Sequence, residues 1–593
     1  MADPSGTVAA FRMRGRGQAM MAIGLLSLLV TTVLPIVLVV LLVRHLAARS
    51  GGTGGDGRAV RRFFQYTLLF GLMVVAATGV TDLCGQLVDA QSVRGGGGAD
   101  LARALTFTVF GIPMVAVVAA WVRRDLRRDA DEKRSWGWGI YVTLASLTAL
   151  VVAMSAAGEV ISAALDGRVA HPASFVRLVV WALVWWGHWL LGERLLAVSA
   201  RQPHLALGSL IGLGTSITGL VWLLGAAVTT MMGDVEGAVV VGARNELAAA
   251  GACLAVGVPV WWLYWLRRFS AAPRRGLWLG YVLLVGVGGS LVMTVVGATT
   301  ALYSVLVWFV GNPSAALPGE HFAGTPLAAA SVLVGGVSWW YHRDVFARGA
   351  PAGRSEVMRI YEYLLSGIAL VAGASGITLA LVALIEAVTP VGDVEVGTSL
   401  ANSLLAAMTV LVVAGPLWWL FWRRIERIAR AAPTEELASP ARRIYLFVLF
   451  GVGGVIAVVV VLVAAFIGIQ DALEGRLSGE TLRTMRVPLA LLVTTGAISG
   501  CHWPVFRHDR TVAPHEAARG PREVLLVGPA DDDLAEAVRR ATGARVELWI
   551  RSGDPWAVEE VLEAVAGVPG AVVAVIAGSD GVQAFAVEGR RLI

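Results

Sequence analysis

The chain has 593 residues, of which 56% are hydrophobic and 15% charged, and its mean hydropathy is +0.71. Globular chains carry about a quarter charged residues, so a water-soluble body of this size is excluded. The net charge of +6 rests on arginines at the ends of apolar runs rather than in one soluble patch, which excludes a nucleic-acid surface.

Met20–Val43 is the first apolar run. Arg12, Arg14 and Arg16 in the extension 1–19 resemble the basic start of a signal peptide. The run is long and no small-residue cleavage site follows, so it reads as a retained leading helix. From residue 60 to 506, long apolar runs come in pairs, and the loops alternate in charge. Arg44–Arg62, Arg123–Arg134, Arg194–Pro203, Arg267–Arg275, Arg343–Arg359 and Arg423–Arg443 are basic; the loops between them are acidic or poor in Arg. Short alternating segments are missing, which excludes a closed barrel. The expected fold is an all-α polytopic membrane bundle of about thirteen transmembrane helices, one leading helix and six tandem hairpins. Basic loops face the cytoplasm, which sets the N-terminus outside and the C-terminus inside. Arg12, Arg14 and Arg16 then lie outside, a conflict that a start at Met20 or Met21 would remove.

Gly257–Ser270, GVPVWWLYWLRRFS, closes one hairpin and recurs in variants. Trp185-Trp186, Trp339-Trp340 and Trp418-Trp419 repeat the Trp pair, His502-Trp503 is a degenerate copy, and an arginine follows each. A fixed period of this kind marks an internal repeat. Trp settles at the membrane–water boundary, so Trp186, Trp262, Trp265, Trp340, Trp419 and Trp503 read as interfacial anchors. The alternative is an aromatic ligand cage. The first helices also share a signature: RFFQYTLLFG at Arg62–Gly71, RIYEYLLSG at Arg359–Gly367 and RIYLFVLFG at Arg443–Gly451. Small residues follow, as at Gly367, Gly373 and Gly376, and such residues mark helix-packing faces in lipid. These paired signatures resemble the bacterial membrane-domain family called domain of unknown function 5671 across residues 60–506. The resemblance implies repeated helical hairpins in a bacterial inner membrane and supplies no activity, cofactor or catalytic residue.

Tyr303–Pro318 is too apolar for a solvated loop and reads as a helix extension or interfacial segment, with a lid over a cavity as the alternative. Arg507–Pro521 reads as a polar linker. Residues 522–593 then have the composition of a small α/β domain. Strands are expected at Glu523–Val527, Val546–Ile550, Ala571–Ala577 and Val582–Val587, with helices over Asp531–Arg540 and from Asp554-Pro555 to Val565. The first three strands can be parallel and the last antiparallel through a turn. Asp533 and Glu536 are spaced as a capping box. Val527–Asp531 joins a strand to a helix where phosphate turns occur, yet three aspartates at 531–533 repel phosphate.

Ionisable groups inside a membrane are functional candidates. His188, His342 and His502 recur beside the Trp motif; as a set they are candidates for ligating haem or lining a vestibule, against hydrated or carbonyl-bonded rings. Cys84, Cys253 and Cys501 are isolated, so no metal site is supported. On the opposite side Asp82, Glu159, Asp234, Glu386 and Asp471 end first helices, while Arg103, Arg177, Arg244 and Arg486 begin second ones; these are candidate ion pairs clasping the bundle. Pro113, Pro259 and Pro416 are candidate helix breaks. The expectation is a non-enzymatic membrane scaffold or sensor without a cofactor, held by lipid and meeting a cytoplasmic protein through residues 522–593. The alternatives are a transporter or channel for a small or lipophilic solute, and a membrane oxidoreductase using the histidines.

Overall fold

The computed structural model describes residues 56–88, 98–133, 135–231, 237–274, 276–313, 315–348, 355–389, 399–437, 439–512, 521–551, 557–568, 570, 572–578 and 581–587. The leading run Met20–Val43, Asp234, the side chain of Arg244 and the Asp554-Pro555 cap lie outside the described residues.

Twelve long helices follow one another among them: α1 Asp56–Val88, α2 Gly98–Arg128, α3 Trp136–Leu165, α4 Pro172–Leu195, α5 Val198–Met231, α6 Gly237–Trp261, α7 Gly276–Phe309, α8 Thr325–Ala347, α9 Glu356–Val388, α10 Leu400–Ala431, α11 Pro440–Leu473 and α12 Arg486–Val512. All but α8 contain stretches long and apolar enough to cross a membrane. The protein is thus a multi-pass helical membrane bundle with a small C-terminal α/β domain.

Local chemistry sets the helix starts. Ser135 accepts from the Trp138 amide and Ser355 from that of Met358, each satisfying an orphan N–H of a first turn. His171 caps α4 ahead of Pro172, whose missing N–H costs nothing in the first turn. The helices run through Pro113, Pro259 and Pro416 rather than ending there. Past Pro259, α6 continues as a π-helix over Trp262–Phe269, and α7 is π-helical over Tyr281–Gly289. π-turns in α-helices gather at functional sites.

The chain divides into two compact units, one of residues up to Arg423 with Val460–Thr494, the other of Arg424–Val459 and Thr495 onward. In the first, consecutive helices pack as hairpins, α1 with α2, α3 with α4, α5 with α6 and α7 with α8. Contacts of α1 with α4, α3 with α6 and α5 with α8 lace the hairpins together. Glycine sets the closest approach between α5 and α6. A Cβ on Gly212 would lie 2.5 Å from the Trp261 nitrogen, and one on Gly257 2.7 Å from that of Ser216. Without a hydrophobic force between helices in lipid, such contact is what binds them. After Phe309, α7 gives way to a loop that Asn402 of α10 holds by a reciprocal amide pair, accepting from the Asn312 N–H at 2.9 Å and donating to its carbonyl at 2.8 Å.

In the second unit α12 runs to Val512, so the expected linker begins as helix. The reason is Asp509, whose carboxylate accepts two hydrogen bonds, 2.6 and 2.9 Å, from the buried Arg442 guanidinium. The sheet has β1 Glu523–Gly528, β2 Arg545–Ile550, β3 Val572–Gly578 and β4 Gly581–Ala586 in the order β2-β1-β3-β4. β1 runs parallel to β2 and β3, and β4 antiparallel to β3. α13 Asp532–Thr542 and α14 Val558–Gly567 complete a core of Val524, Leu526, Leu534, Val538, Val561, Val565, Val573 and Val575. The α13 cap differs from expectation: Asp531, not Asp533, accepts from the Leu534 amide at 2.8 Å, because Asp531 is the last extended residue before the turn.

Candidate functional site: a recurring tyrosine–histidine pair

The three candidate histidines occupy one structural position. His188 on α4, His342 on α8 and His502 on α12 each place Nδ1 against the carbonyl four residues back, Val184 at 2.8 Å, Ser338 at 2.8 Å and Ile498 at 2.9 Å. A nitrogen facing a carbonyl must carry the proton, so Nδ1 donates and Nε2 is left to accept. Each ring lies beside a tyrosine of the preceding long helix: Tyr141 on α3 at 5.6 Å between centroids, Tyr281 on α7 at 6.0 Å and Tyr445 on α11 at 6.3 Å. In the first copy the Tyr141 hydroxyl donates to His188 Nε2 at 3.0 Å.

A third position varies between copies. Arg62, Arg201 and Arg359 are each followed three residues later by a buried polar side chain, Gln65, His204 and Glu362. Gln65 donates to Asp125 at 3.2 Å. His204 lies between Trp189 and Tyr264, its ring tilted 57° to each at 5.6 and 5.2 Å. Sequence reasoning missed this set, and alignment of the three arginines would have found it.

Around the first pair the ends of α1, α2 and α3 close over one carboxylate. Glu132 is 2% exposed and accepts from Arg61 at 2.7 Å, Arg62 at 2.9 Å and the Tyr66 hydroxyl at 3.4 Å. Around the second pair His342 is fully buried among Trp265, Tyr281 and Tyr341, and the two π-helical stretches supply Trp265 and Tyr281. Trp261 donates to the Tyr281 hydroxyl at 3.2 Å and Trp265 to that of Tyr341 at 2.9 Å. A Cβ on Gly286 would meet the His342 ring at 2.4 Å, so glycine is required beside it. This closed box leaves no slot for a haem macrocycle at His342. Each histidine sits in its own repeat with its own tyrosine.

Trp186, Trp262, Trp340, Trp419 and Trp503 are about half exposed. Arg267 lies over Trp262 and Arg423 over Trp419, both at 4.6 Å, a cation–π contact that keeps guanidinium and indole together. Trp265 departs from the anchor expectation. It is fully buried, because the π-helical register turns it inward onto Tyr281 at 4.6 Å.

At the opposite helix ends Arg103 lies 3.6 Å from Asp82, Arg177 pairs with Glu159, and Arg486 lies 2.7 Å from Glu386. Asp471 instead accepts at 2.6 Å from Thr481, in the short helix Gly479–Thr484, and lies 3.9 Å from Arg476 in the loop before that helix. Cys84 and Cys253 are half-buried and Cys501 exposed, all as free thiols.

Neither a curated protein nor a solved structure matches the chain. A family match falls three times, on residues 62–191, 202–337 and 359–497. Each match takes in all or part of four helices, so the matched repeat is two hairpins; the first contains Tyr141 and His188, the second and third contain Tyr281 and Tyr445, and His342 and His502 lie five residues past the ends of those two matches. Together the matches span more than half of the sequence, and the chain belongs to the family described as Domain of unknown function (DUF5671).

Proposed function

We propose that the protein is a non-enzymatic scaffold or sensor of the bacterial inner membrane whose C-terminal α/β domain lies in the cytoplasm and reports to a protein partner. The observation that carries this is a contrast in packing. At mid-span the helices meet backbone to backbone through glycine, as Gly212 and Gly257 do, which suits a fixed body better than a solute path. The α/β sheet ends in two edge strands, β2 with Trp549 and Ile550 exposed and β4 with Phe585 exposed. An edge strand presents unpaired backbone groups and is a ready surface for another chain. The Arg-rich loops support this orientation, since basic loops are retained on the cytoplasmic side.

The test uses the full chain. In lipid vesicles its proton and potassium leak should equal that of protein-free vesicles; a saturable flux would replace the reading with transport. In cells, a photocrosslinking residue at Trp549 or Phe585 should trap one protein that the same residue at Trp186 does not. If both edge positions trap nothing, the reporting role is lost.

A further inference from the structure

The C-terminal end of α2 carries four arginines, Arg123, Arg124, Arg127 and Arg128, all exposed. With Ala120 they line an open concavity of about 410 Å³. Several other arginines at these helix ends have partners. Arg61 and Arg62 hold Glu132, Arg201 and Arg268 hold Glu193, and Arg267 lies over Trp262. Among the described residues the four on α2 have no acid. Asp125, in their midst, is taken from the other side by Arg61 at 3.3 Å and Gln65 at 3.2 Å. Four neighbouring guanidinium groups repel one another unless an anion sits among them. The helix below says which anion. Phe110, Met114, Val117 and Trp121 are exposed and recur at three- and four-residue spacing, and Arg124 and Arg128 continue the same stripe. An apolar track ending in Trp and then Arg matches an acyl chain ending in a glycerol phosphate.

We infer that the end of α2 is a binding site for an anionic phospholipid, with its phosphate held by Arg124 and Arg128 and flanked by Arg123 and Arg127, and an acyl chain along Phe110–Trp121. Planar guanidinium groups take phosphate oxygens in pairs, and basic pockets at helix ends bind such headgroups. The inference needs only that α2 lies in a bilayer and is independent of the scaffold reading.

Native mass spectrometry of the full-length protein tests it, with delipidated protein titrated separately with dioleoyl phosphatidylglycerol, tetraoleoyl diphosphatidylglycerol, dioleoyl phosphatidylcholine and inorganic phosphate. The wild type should retain the two anionic lipids in preference to phosphatidylcholine. Substituting all four arginines with Gln should weaken anionic adducts about tenfold, R124Q/R128Q should weaken them by less, and R539Q/R540Q, which removes two charges from α13, should leave them unchanged. R124Q/R128Q keeps the test in force should the fourfold variant fail to fold. No anionic preference in the wild type, undiminished adducts in the folded arginine variants, or displacement of the lipid by millimolar phosphate would each overturn the inference.

Discussion

A histidine on a membrane helix has two nitrogens to satisfy and little water to do it. His188 solves this by giving Nδ1 to the turn behind it and Nε2 to Tyr141. Tyr141→Phe should remove that second bond and lower stability by about 1 kcal/mol, read as a fall in the thermal midpoint by tryptophan fluorescence; an unchanged midpoint would mean the hydroxyl contributes nothing. His342 is held instead by shape. Gly286→Ala should force the ring aside at about 1–3 kcal/mol, whereas Gly71→Ala, with nothing within 4 Å, should be neutral on the same assay. The histidines were legible in the sequence because they follow the Trp motif, but their tyrosines were not, since the pairing joins helices 47–61 residues apart. Trp265 escaped for another reason. A helical-wheel argument assumes 3.6 residues per turn, and the π-helical stretch from Trp262 changes which way the side chains point.

Among the elements, helices and strands were readable almost to their ends, since long apolar runs and alternating burial are strong periodic signals. What joins them was less so. Arg442 shows why: it reads as one of several loop arginines, yet it is 3% exposed and bridges α11 to Asp509 of α12 and Glu426 of α10. Removing one side of a buried ion pair leaves a desolvated charge, so Arg442→Ala should cost about 3–5 kcal/mol. Arg177→Ala, at a half-exposed pair with Glu159, should cost under about 1 kcal/mol. Detergent unfolding of both variants checks the ranking, and equal losses would show that burial is not what sets the strength of these pairs. In the α/β domain Leu526 is fully buried in β1. Leu526→Ala should cost about 2–5 kcal/mol, a large share of the stability of so small a core, and make residues 521–587 sensitive to limited proteolysis.

For the whole molecule, orientation is the property on which depth and exposure depend. With the native cysteines replaced, single cysteines at Ala271 and Arg348 lie at the Trp–Arg ends of the helices, and at Arg168 and Arg476 at the opposite ends. An impermeant maleimide applied to intact cells should label the second pair alone, and labelling of one site from each pair would overturn the arrangement of six hairpins. The sixfold hairpin count was readable because tryptophan and arginine punctuate every second helix. The larger period of four helices was not, because Gln65, His204 and Glu362 have diverged while occupying one place. That divergence has a genetic consequence. Three copies on one polypeptide cannot be altered together by a single codon, unlike the subunits of a homotrimer, so lesions can be introduced one, two or three at a time. Graded decline in cells with Tyr→Phe at 141, then 281, then 445 would mark three autonomous modules, and full collapse at the first would mark one shared device.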